Sequence, residues 1–119
     1  MRILVAGVVP LFVLGAFLDG YQAGQVKYSI KDVMRLAHNS ELFNKVAEGK
    51  ASPDEKRQLL ELYASLNKAV PPKGDADSWK RKTAVMVETA RRASSGDAQA
   101  TRSLKQVVNC AACHKEFKK

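Results

Sequence analysis

Residues 52–68 read SPDEKRQLLELYASLNK, and this stretch sets the secondary structure expected of the chain. Ser52 stands where a helix N-cap belongs, Pro53 takes the first helical position, and Glu55 lies three residues after the cap. That order lets the cap and the third residue satisfy each other's backbone donors. Beyond it, Leu59, Leu62, Tyr63 and Leu66 recur at helical spacing up to about Lys68, marking one apolar face.

Downstream, Pro71-Pro72-Lys73-Gly74 cannot continue a helix and predicts the one long loop. Asp75 or Asp77 caps the next helix, whose stripe is Trp79, Thr83, Met86, Val87 and Ala90, and Ser94-Ser95-Gly96 ends it. Asp97 opens a further helix carrying Leu104, Val107, Val108 and Ala111, expected to run almost to Lys119. Upstream, Ser29 and Asp32 have capping spacing, and Ile30, Val33, Met34 and Ala37 follow a helical period. Asn39-Ser40 interrupts that helix. A short stretch from Glu41 to Glu48, with Leu42, Phe43 and Val46, stops at Gly49. No alternating β-type run and no internal repeat occurs. The expected fold class is therefore all-α, an antiparallel four-helix bundle with short connections. Its stripes are rich in alanine, so the centre is expected to be hollow enough for a bulky group, and the chain to be loosely folded without one.

The whole chain has 119 residues, 45% of them hydrophobic and 27% charged, an ordinary globular balance of single-domain size. Two cysteines form at most one bridge, which excludes a disulfide-dense scaffold. Residues 1–24 read MRILVAGVVPLFVLGAFLDGYQAG: one early cation, Arg2, an uncharged run from Ile3 to Leu18, and small residues at Gly20, Ala23 and Gly24. This is the pattern of a secretory signal peptide, with an uncleaved anchor as the alternative. The working domain is then 25–119, periplasmic or otherwise exported. Cleavage would remove Arg2 and Asp19 together, so the net charge of +8 survives it. An exported chain whose aromatics are not interleaved with its basic residues is not expected to bind nucleic acid. The charge suits docking to an acidic partner.

The two cysteines sit in Cys110-Ala111-Ala112-Cys113-His114. C-x-x-C-H is the attachment sequence of c-type haem. Two thiols add to the two vinyl groups on one porphyrin edge, and the adjacent histidine reaches the iron. On a helix the three side chains fall at i, i+3 and i+4 and share one face. A thioredoxin-type pair would want a βαβ setting, which is not visible. A Cys110–Cys113 disulfide would close a very tight loop within a helix. A zinc site could draw on Cys110, Cys113, His114 and His38, but such sites usually add a second separated cysteine pair. One covalently bound haem c is the expected cofactor, with Cys110 and Cys113 as attachment residues and His114 as proximal ligand.

The tail Cys110-Ala111-Ala112-Cys113-His114-Lys115-Glu116-Phe117-Lys118 resembles the C-x-x-C-H-x-x-aromatic-basic ending of the cytochrome c-prime superfamily. Lys31-Asp32-Val33-Met34 is similar to the basic-x-x-Met element of its low-spin members. Pro71 to Lys80 is similar to small haem proteins predicted in planctomycete-type bacteria. The resemblance spans about residues 29–118. The chain departs from the family in its shortness and in the Asn39-Ser40 break.

For the second axial position Met34 and His38 are the local candidates. At about 100° per residue, Met34 lies about 50° from the centre of the first stripe and His38 about 90°, beside Lys31. Spacing thus favours Met34, and the resemblance agrees; an open distal side is the third option. The expected function is electron transfer by an exported cytochrome c with His/Met ligation, and the alternative is a five-coordinate protein binding NO or CO. The chain has no histidine outside the motif except His38 and no carboxylate dyad, so it is not expected to be an enzyme. Redox partner proteins, acidic ones, are the expected partners. The membrane is contacted only if the N-terminal segment stays uncleaved. A homodimer is among the states the resemblance allows.

Overall fold

Local chemistry fixes where each helix starts. In the computed structural model, which describes residues 27–119, the Ser52 hydroxyl accepts from the Glu55 amide and the Glu55 carboxylate accepts from the Ser52 amide, both at 3.1 Å. The leader expected over residues 1–24 lies outside the described residues. The described residues are all-helical, with no strand.

The first helix, α1 (Ile30–Val33), begins at a capping box formed by Ser29 and Asp32. It runs directly into a π-helical turn, Met34–His38, in which the Asn39 amide donates to the Met34 carbonyl five residues back at 2.8 Å. Ser40 closes the turn, its hydroxyl donating to the Leu36 carbonyl at 2.6 Å. Next come α2 (Leu42–Ala47), α3 (Pro53–Lys68) and α4 (Ala76–Ser94), the last capped by Asp75, which accepts from the Ser78 amide at 3.0 Å. Asp97 caps α5 (Ala98–Val107), accepting from the amides of Gln99 and Ala100.

The last expected helix is two helices. Val108 and Asn109 leave helical geometry, at ψ 85° and 91°, and a new helix, α6 (Cys110–Phe117), starts there. The reason is local. Val107 and Val108 are β-branched and give the helix little support, whereas Asn109 gains a cap: its side chain accepts from the Ala112 amide at 3.0 Å. Ala111, expected on the buried stripe, is exposed as a result.

Packing runs α3 along α4 and α4 along α5, while α2 bridges α3 and α5, and α1 with its π-turn lies on α3. The Trp79 indole donates to the Leu66 carbonyl at 3.1 Å and the Asn67 amide to the Thr83 hydroxyl at 2.8 Å, locking α3 to α4 near their shared loop. The centre is not hollow: Leu59, Leu62, Tyr63 and Leu104 are 0% exposed and Leu66 is 1%. Burying each of these leucines contributes about 2 kcal/mol. Tyr63 supplies the bulk that the alanine-rich stripes lacked, and Trp79 and Phe117 close the end of the core.

Candidate functional site

The C-x-x-C-H motif occupies the first five residues of α6, which is not among the closely packed pairs of helices. Cys110 and His114 are exposed and Cys113 is half-buried; both thiols are free. Helical spacing sets the three side chains along one face.

The far end of α6 holds it to the body. Phe117, 2% exposed, meets Trp79 edge-on with ring centroids 5.1 Å apart. Glu116 accepts from the Ser78 hydroxyl at 2.8 Å and pairs with Lys82. The Lys82 and Ser78 donors hold the Glu116 carboxyl below its usual range. Gly74, at φ +85°, lets the α3–α4 loop reach the same end: a Cβ there would meet Phe117 Cδ1 at 2.8 Å and the Glu116 carbonyl at 2.9 Å.

Beside Cys113 lies an apolar cleft of about 260 Å³, lined among others by Thr83, Met86, Val107 and Phe117. Burial, then Cys110 and Glu116, push the Cys113 thiol up, with Lys82 opposing. Met86, read as core, is 8% exposed and forms part of this wall.

A second group of side chains gathers from the π-turn, α2 and α3. The Tyr63 hydroxyl and His38 Nε2 are 3.3 Å apart, and the His38 ring stacks on Tyr63 at 5.8 Å and tilts against Phe43 at 5.1 Å. Burial, and then the charge His114 can carry, lower the His38 imidazole below its ordinary range. Burial, with a smaller effect of Cys110, raises the Tyr63 phenol far above its own. Met34, at the start of the same turn, is half-buried and packs against the core.

Among the described residues no group of three or more His, Cys, Asp or Glu side chains converges in a way that could hold a metal ion. A haem asks less of the chain, because the macrocycle brings four of the iron's ligands itself. The residues present fit such a group: two free thiols, an imidazole on the same helix face, and an apolar cleft at the half-buried thiol.

Tyr63, Lys82 and Gly74 were not legible as site residues. Tyr63 reads as one more member of an apolar stripe, and its polar tip was the only hint. Gly74 reads as a turn residue, with nothing to say which helix it touches. No helix among the described residues is long and apolar enough to cross a membrane. No family model matches the chain, and no curated protein or solved structure matches it either.

Proposed function

We propose that the chain is an exported electron-transfer protein of the cytochrome c-prime kind, a four-helix bundle carrying one covalently bound haem c. The observation that carries this reading is the pair of free thiols and the imidazole at i, i+3 and i+4 of α6. When bound, the haem supplies one-electron chemistry through its iron. Cys110 and Cys113 would hold it by thioethers, and His114 would offer a ring nitrogen to its iron. Met86, Val107 and Phe117 give the cleft beside Cys113 its apolar wall. Its partners in this reading are acidic redox proteins, drawn to a chain of net charge +8.

Intact-mass measurement of protein made together with a haem-ligation system tests the reading. A mass raised by one haem is the expected result, lost in the Cys110→Ala/Cys113→Ala double variant. The mass of the bare chain would refute it.

A further inference from the structure

We propose that a second cleft, which no residue of the C-x-x-C-H motif lines, is a binding site for a phosphate monoester, held through its phosphoryl group by Lys56 and Arg102. The proposal stands whether or not the chain carries haem.

The cleft, of about 340 Å³, opens where the ends of α2 and α4 meet the starts of α3 and α5. That is the size of a small-ligand site. Alanine and glycine make up much of its wall, and a Cβ at Gly49 or Gly96 would meet nothing within 4 Å. The chain's own side chains therefore leave this space open.

Charge decides what it takes. Lys56 and Arg102 both line the cleft, and among the described residues neither side chain has a hydrogen bond or an ion pair. Lys56 is half-buried, and a cation partly removed from water without a counter-charge is stabilised by an anion. The carboxylate in the wall, Glu48, is already met by Lys50 at 3.7 Å and Lys105 at 3.8 Å. Asp97, beside the cleft, is taken up by Arg92 and by the amides of Gln99 and Ala100. The carbonyls at the ends of α2 and α4 are turned inward as well: Val46 accepts from the Gly49 amide at 3.1 Å and Ala93 from the Gly96 amide at 3.2 Å. The Thr101 hydroxyl donates to the Asp97 carbonyl at 3.0 Å, so the two free cations carry the recognition. A guanidinium offers paired donors that match phosphoryl oxygens, and an ammonium adds a point charge. Together they meet the nearly two charges of a phosphate monoester at neutral pH.

The test is a titration of the protein with glycerol 3-phosphate, followed by two-dimensional amide NMR at an ionic strength held constant with sodium chloride. Saturable shifts at Gly49, Gly96 and Thr101, fitting one site, are expected. Lys56→Gln and Arg102→Gln should each weaken binding about tenfold or more, Lys56→Arg should retain it, and Glu48→Gln should tighten it. The same spectra show whether each variant is folded. Shifts that do not saturate, or that spread over basic residues away from the cleft, overturn the proposal. So does an unchanged affinity in Lys56→Gln/Arg102→Gln. Equal affinity for succinate overturns the choice of a phosphoryl group. Capture by vesicles of phosphatidylcholine with phosphatidic acid, with no binding of glycerol 3-phosphate, would make the ligand a lipid headgroup and overturn the soluble site.

Discussion

Gly74 shows how one residue of a loop governs the placement of the motif helix. Its φ of +85° is costly for any side chain, and the space a Cβ needs is already held by Phe117 and Glu116. Gly74→Ala is therefore expected to cost more than about 1 kcal/mol and to loosen α6. Hydrogen exchange over residues 110–117 should rise while α3 stays protected. Phe117→Ala removes the other side of the same contact and should cost about 3–5 kcal/mol in chemical denaturation, as large-to-small changes at buried aromatic sites do. Asp97 offers a test of sign. The Ala100 amide, then Arg92, hold its carboxyl below the usual value, so its contribution is present above the ordinary carboxyl range and lost as pH falls through the lowered one. The melting temperature of Asp97→Ala should lie below that of the unmutated protein at neutral pH, and the gap should close below about pH 4. At this scale the grouping of Cys110, Cys113 and His114 on one helix was legible because their spacing is helical. Tyr63 was not, because an apolar stripe does not reveal which neighbour its hydroxyl meets.

Among the elements, α3 and α4 were readable to within a residue or two, since capping boxes and proline mark a boundary by covalent chemistry. The π-turn was not. It rests on a single added residue between Val33 and His38, and a reading at 3.6 residues per turn propagates straight through it. That is why the period set His38 at the polar edge of the first helix, while the structure packs its ring against Tyr63 and Phe43. The split between α5 and α6 was missed for a related reason. Val107, Val108 and Asn109 are tolerable inside a helix, and only the cap that Asn109 makes to Ala112 shows that the chain ends one helix and starts another.

For the whole molecule, all-helical character was legible from the absence of β-type alternation, but the hollow centre was not borne out, because Tyr63 and four leucines fill it. The double variant Cys110→Ala/Cys113→Ala, which cannot hold haem by thioethers, should accordingly keep most of its helix and melt cooperatively in circular dichroism. With a net charge of +8, reaction with an acidic redox protein should slow as salt rises, since charges are screened beyond about 8 Å at physiological ionic strength. A rate indifferent to salt would remove charge as the basis of partner choice. The seating of α6 by its far end alone also bears on the order of events in time. A body to whose buried core the last helix adds only Phe117 can fold first and leave the two thiols within reach of a ligation enzyme. Cofactor attachment would then be a late step, made on a folded substrate. A pulse-labelled chain should acquire protease resistance over residues 52–104 before it acquires haem.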